Sequence, residues 1–222
     1  MRVTPSSIAS AHTADCVIFG FADKELRVLL VRRAVTPFAG EWVLPGGAMA
    51  AEETLEHTAQ RVLLDMVGVK NVRLRQVSTY SEPDRHPVRR VVTTSFYALV
   101  QPRHHTPVAR GHAREATWYA VSTAPDLGFD HGRLLRDAHN RLILHLRTRP
   151  LAFELLPDLF TLTEAQLLYE DILGEELDRR NFRRKLQSYD FLKETKEKRS
   201  GVKGGPKLYA VDYGLLLEAL SD

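Results

Sequence analysis

The feature that most constrains this chain is the run Trp42-Val43-Leu44-Pro45-Gly46-Gly47 and the helical pattern that follows it. A short apolar strand meets a proline and a glycine pair, the marks of a tight turn. From there Leu55, Thr58, Ala59, Val62, Leu63 and Met66 recur with the spacing of one helical face, which predicts a helix over 54–66. Gly68 suits its left-handed cap.

The flanking pattern completes a mixed domain. Two β-branched apolar runs, 15–21 and 26–32, are separated by Ala22-Asp23-Lys24-Glu25 and read as a hairpin. Residues 72–80, 90–100 and 116–121 read as further strands, and 131–146 as a helix with Leu134, Leu135, Ala138, Leu142 and Leu146 on one face. Strands and helices mix without regular βαβ alternation, so the fold class is α+β. The pattern changes near 148–157, where Pro150 and Pro157 frame a connector. The expected organisation is a tail at 1–14, a ligand-sensing domain at 15–149 and a DNA-binding domain at 150–222.

Composition narrows the class. Hydrophobic residues make up 44% of the 222, enough for a buried core. The single cysteine, Cys16, excludes an internal disulfide framework and a cysteine-cluster zinc site. It sits in the apolar run Cys16-Val17-Ile18-Phe19 and reads as a small core residue. The first dozen residues lack the apolar region of a signal peptide, and no stretch approaches the roughly 18–20 apolar residues of a membrane span. A cytoplasmic protein without a membrane partner is expected.

The segment 46–69, GGAMAAEETLEHTAQRVLLDMVGV, resembles the Nudix box, G-x5-E-x7-R-E-U-x-E-E-x-G-U with U apolar. Anchored on Gly47, it places Glu53, Arg61, Leu63, Gly68 and Val69 in register. The resemblance, which runs from about Cys16 to about Leu146, implies a Nudix α/β/α sandwich and a pocket for a nucleoside diphosphate attached to another group. The departures are equally informative. Where the pattern has R-E-U-x-E-E, this chain has Arg61-Val62-Leu63-Leu64-Asp65-Met66. Magnesium takes several oxygen ligands in near-octahedral array, and Val62 and Met66 offer none. Glu53 and Asp65 are degenerate remnants, Glu53 being expected to brace Arg61. No metal, no cofactor and no catalytic residue is expected. The candidate ligand-binding residues are Arg32, Arg33, Gly46, Gly47, Arg61, Arg85 and Arg89, because guanidinium groups suit phosphates. His104, His105 and His112 lack regular ligand spacing and read as exposed loop histidines.

Beyond Pro157 the chain reads helix, turn, helix, hairpin. Thr163 and Gln166 suggest a capping box for the first helix, and Asp178 caps the second. Phe182, Leu186 and Tyr189 form the second helix's buried face. Between Arg179 and Lys207 stand eleven basic and only three acidic residues, whereas the whole chain carries +3. Such a concentrated field attracts a polyanion, and the outline is that of a winged helix-turn-helix. The candidate DNA-binding residues are Arg179, Arg180, Asn181, Arg183, Arg184 and Lys185 on the helix, with Lys203 and Lys207 on the hairpin.

A degenerate Nudix domain followed by this basic winged helix resembles the Nudix-related transcriptional regulators of bacteria. The resemblance implies a homodimer that binds a double-stranded DNA operator. Its effector would be ADP-ribose, a related NAD-derived nucleotide, or a sugar such as arabinose. The glycine pair and the arginines lean towards a phosphate ligand. The other reading is a Nudix hydrolase of nucleoside diphosphate derivatives with an accessory nucleic-acid-binding domain.

Overall fold

A computed structural model of the chain describes residues 11–199 and 205–221. Strands β1 (Ala11–Ala22) and β2 (Glu25–Arg33) form the expected hairpin. Asp23 and Lys24 at its turn both have positive φ, the turn geometry that matches the twist of the flanking strands. The two strands pair only near the turn, from Phe19 opposite Val28 to Ala22 opposite Glu25. Beyond that they diverge. Into the gap fits the segment carrying β3 (Trp42–Val43), which pairs with β2, and β4 (Gly46–Ala48), which pairs with β1.

The seven-stranded mixed sheet is completed by β5 (Arg75–Tyr80), β6 (Val91–Val100) and β7 (Ala113–Ala120). β6 runs parallel to β1 and antiparallel to β5, and β7 pairs with β2. Side chains on a strand point alternately to its two faces. Cys16 and Ile18 accordingly pack with Ala59, Leu63 and Val67 of α1 (Leu55–Val67), whereas Val17 and Phe19 join the layer of Leu134, Ala138 and Leu142 of α2 (His131–Thr148). This is the expected α/β/α sandwich within an α+β fold. β1 begins at Ala11, inside the stretch read as a tail. Its polar start, His12-Thr13, carries no apolar signal but pairs with β6.

The second part contains α3 (Leu162–Leu173), α4 (Arg179–Gln187), β8 (Leu192–Lys198), β9 (Lys207–Val211) and α5 (Tyr213–Ser221). The cap of α3 differs from expectation: Thr161, not Thr163, accepts from the Glu164 backbone, and Glu164 returns a bond to Thr161. Leu162 is buried and already helical, while Gln166 donates instead to Glu170 and to the Leu177 carbonyl. α5 was not anticipated. Its start is fixed by Asp212, whose carboxylate accepts from the Gly214 and Leu215 backbones.

The connector is core material. Leu151, Ala152, Phe153 and Leu155 are buried in a short 3-10 turn, Leu151–Leu155, Leu156 is buried just after it, and the Phe153 ring contacts those of Phe160, Tyr169, Tyr189 and Phe191. One apolar cluster therefore runs from Phe19 of the sheet to Leu216 of α5. Polar bonds reinforce it: Asp171 accepts from the Leu26 backbone at 2.6 Å, and Arg75 forms a two-pronged pair with Glu154 at 2.5 and 3.2 Å. The second part is thus packed on the sandwich rather than tethered to it. Among the described residues no helix is long and apolar enough to cross a membrane.

Candidate ligand cleft and nucleic-acid interface

The divergence of β1 and β2 opens a cleft of about 280 Å³. Gly46 and Gly47 form its floor because nothing larger fits. A Cβ on Gly46 would stand 1.8 Å from Asp15 Oδ1, and one on Gly47 would stand 2.8 Å from Val62 Cγ2. Backbone is therefore all that the cleft meets at these positions, an arrangement open to close approach by a phosphate. Arg33, His86, Arg89 and His112 also line it. His112, expected to be a plain loop histidine, thus reaches the rim. Arg89 is exposed and Arg33 half-buried, with its guanidinium 5.2 Å from the Phe129 ring centroid.

A buried polar cluster, Asp15, Arg85 and His131, lines part of the same cleft. Arg85, a ligand-binding candidate, is buried and already engaged: its side chain is 4% exposed and grips Asp130 through two bonds at 2.7 and 3.0 Å, with Asp15 at 3.7 Å. Thr93 donates to Asp15 at 2.7 Å. His131 Nδ1 accepts from the Leu44 backbone at 3.0 Å, which leaves the proton of a neutral ring on Nε2, facing Asp15 at 3.7 Å. Burial pushes the His131 pKa down, against the pull of Asp15 and Asp130. His86 is also lowered, by burial and then by Arg89, Arg33 and Arg85.

Two candidate ligand residues lie elsewhere. Arg61 donates to Glu53 at 2.5 and 2.8 Å and to the Ala48 carbonyl at 2.9 Å, so it braces the loop behind the glycines and does not line the cleft. Its guanidinium holds the Glu53 carboxyl down at about 2, helped by a bond from the Ala50 backbone. Arg32 points away, to the Gly40 carbonyl at 2.9 Å. On the α1 side the cleft meets Met66, and Val62 is buried under Gly47. Asp65 is exposed and does not line the cleft. The helix α1 positions that face the cleft do not fit a divalent cation: Val62 and Met66 are hydrocarbon and thioether, and the described residues contain no cluster of metal-ligating side chains.

The second candidate surface is presented by α4. Phe182 and Leu186 are buried and Tyr189 half-buried, which sets the rotation of the helix. Arg179, Arg180, Asn181, Arg184 and Lys185 are left exposed. Arg183 is half-buried and donates to the Thr163 hydroxyl at 3.4 Å. The Asn181 side-chain carbonyl accepts from Arg184 at 3.0 Å, so these two present a joined donor surface. Lys207 pairs with Glu194 at 2.7 Å. Lys203 lies outside the described residues. Sequence reasoning counted Arg199 only as charge, yet it pairs with Glu164 and joins the hairpin to the start of α3. Helix α4 and the β8–β9 hairpin can together meet a polyanion.

Comparison with known proteins places this geometry. A NUDIX domain family model matches residues 10–138, and a model of the NrtR DNA-binding winged helix domain matches residues 152–211. The chain is 34% identical over 201 residues to an ADPR responsive transcriptional repressor NtrR of Acinetobacter baylyi, covering 89% of this chain and 80% of that protein. It is 30% identical over 118 residues to an ADP-ribose pyrophosphatase of Methanocaldococcus jannaschii, covering 53% of this chain and 69% of that enzyme. The structure of Shewanella oneidensis NrtR complexed with a 27mer DNA matches with a TM-score of 0.80 at 30% identity, over 92% of this chain and 95% of that one. The NUDIX domain of the same Shewanella protein, complexed with ADP ribose, matches with a TM-score of 0.58 at 30% identity, over 64% of this chain and 94% of that one. With a NUDIX domain followed by an NrtR-type winged helix domain, the chain belongs to the Nudix-related transcriptional regulators.

Proposed function

We propose that the protein binds double-stranded operator DNA through α4 and the β8–β9 hairpin, and that its cleft senses ADP-ribose or a related NAD-derived nucleotide without cleaving it. The observation that carries this reading is the pairing of an arginine-lined glycine cleft with an α1 face of Val62 and Met66. Phosphate can be held there, but the carboxylates that would assemble metal for hydrolysis are missing. A neutral pentose carries no charge to match Arg33 and Arg89, so the sugar reading is the weaker one. A relative named as an ADPR responsive repressor and a similar NUDIX domain complexed with ADP ribose support the nucleotide. The enzymatic reading rests on the pyrophosphatase relative, which matches 53% of this chain. The protein acts in the cytoplasm as a homodimer, matching the two-fold symmetry usual for operators.

The test is fluorescence anisotropy of an operator duplex with and without ADP-ribose at several salt concentrations. Binding that weakens steeply with salt and changes with ADP-ribose is expected, since coupling between two sites must be mutual. Salt-insensitive or absent DNA binding overturns the regulator reading. Hydrolysis of ADP-ribose with magnesium or manganese above roughly 1 per second, the low end of enzymatic turnover, overturns the sensing reading.

A further inference from the structure

Helix α4 has two flanks, and they meet different parts of the molecule. Phe182 and Leu186 turn inward, which leaves Arg180 and Arg184 exposed. Two residues along a helix are roughly 200° apart, so Arg183 and Lys185 stand on opposite flanks. Arg183 faces the start of α3, where it donates to the Thr163 hydroxyl. There too Arg199, just past β8, draws the hairpin in by pairing with Glu164. Asn181 and Lys185 face the other way. They border a recess of about 380 Å³ whose far wall is the last turn of α2, with Leu146 and Arg147. Leu146 is buried in the core, but the Arg147 side chain is 56% exposed. It reaches Glu175, in the turn before α4, at 3.5 Å, and Glu175 is itself 49% exposed. A contact that long is a poor hydrogen bond, and in water it holds the guanidinium only weakly.

We propose that the last turn of α2 belongs to the DNA interface, where Arg147 exchanges Glu175 for a backbone phosphate on the flank of α4 away from the hairpin. This rests on the DNA-binding reading above. A major groove about 12 Å wide just admits a helix about 10–12 Å across, so a line of phosphates runs along each side of the helix. The hairpin and the start of α3 meet one line. The other passes the flank of Asn181 and Lys185, and Arg147 borders the same recess. Its guanidinium stays charged and offers a fork of donors that matches phosphate oxygens. The exchange is favourable because a neutralised phosphate releases condensed counterions, which Glu175 does not. Helix α2 is part of the sandwich, packed on the sheet through Leu134, Ala138 and Leu142, and its first residue, His131, lines the ligand cleft. One helix therefore begins in the cleft and ends on DNA.

Anisotropy titrations of the full chain with a labelled mixed-sequence duplex test the assignment, because a phosphate contact reads no sequence. Arg147→Ala should weaken binding and flatten the salt dependence by about one unit of slope. The advantage of wild type over the variant should then shrink about three- to fourfold between about 50 and 200 mM salt. Arg147→Lys should keep most of the slope. Glu175→Gln should tighten binding, and less so when Arg147 is already alanine. Arg136→Ala is the control: Arg136 is exposed on the same helix, about 16 Å back along its axis. That exceeds the screening length of about 10 Å at 0.1 M salt, so its loss should leave the slope nearly unchanged. Thermal melts of all variants should match wild type, since every side chain altered is exposed. If Arg147→Ala keeps the full slope, or Arg136→Ala flattens it equally, the α2 contact is wrong and DNA binding through α4 stands. If Arg147→Ala and Glu175→Gln both weaken binding, the pair is a structural brace and the proposal falls. If the wild type shows no salt-dependent DNA binding, both readings fall.

Discussion

Arg85→Ala separates a supporting role from a ligand-gripping one. An exposed arginine at the cleft mouth could be removed with little effect on folding. Arg85 is not exposed: it neutralises Asp130, whose side chain is 19% exposed, and lies 3.7 Å from Asp15, which is 8% exposed. Removing one member of a buried pair costs about 3–5 kcal/mol, because the remaining charge is stranded. The lower end applies, since Asp15 keeps the Thr93 hydroxyl and Asp130 can regain some water. For a chain of this length about 3 kcal/mol lowers the melting temperature by roughly 6–12 °C. Circular dichroism melts of wild type, Arg85→Ala, Asp130→Ala and the double variant provide the assay. The double variant should be less destabilised than the two single losses added together, because the pair acts as a unit. Arg89→Ala, at an exposed position, should stay within about 0.5 kcal/mol of wild type while weakening ADP-ribose binding. If Arg85→Ala melts within about 2 °C of wild type, the buried-pair reasoning is refuted.

Gly46→Ala should destabilise the cleft by about 1–3 kcal/mol, seen in urea titrations, because its Cβ would stand 1.8 Å from Asp15 Oδ1. His131 is held neutral by burial, so its folded pKa lies below the ordinary 6.5. The unfolded chain then binds the extra proton, and the His131 contribution to stability is complete above pH 6.5 and falls as the solution is acidified below it. His131→Gln should flatten the decline in stability measured between pH 7 and 5. Arg180→Ala should cost about 1–3 kcal/mol of operator affinity and less on scrambled duplex in anisotropy titrations. Equal losses on both would make Arg180 a phosphate contact instead.

The amino-acid sequence by itself determined the local elements and the chemistry they can carry. The turn glycines, the face of α1 and the caps Gly68 and Asp178 are properties of neighbouring residues, so they were legible without a fold. The loss of metal ligands at Val62 and Met66 was legible for the same reason, as was the rotation of α4 set by Phe182 and Leu186. Helix α5 also had a readable signal in Asp212 followed by the apolar run Leu215-Leu216-Leu217. What only the tertiary structure decided depends on partners far along the chain. Arg85 looked like a free cation because Asp15 and Asp130 are 70 and 45 residues away. The connector looked like a linker because the rings around Phe153 come from α3 and from the residues after α4. Arg61 and Arg32 looked equivalent to Arg33, yet strand divergence turns only Arg33 into the cleft. The backbone of Phe38 and Phe129 could not be foreseen at all, because positive φ at a bulky residue opposes local preference and is imposed by the packing around it.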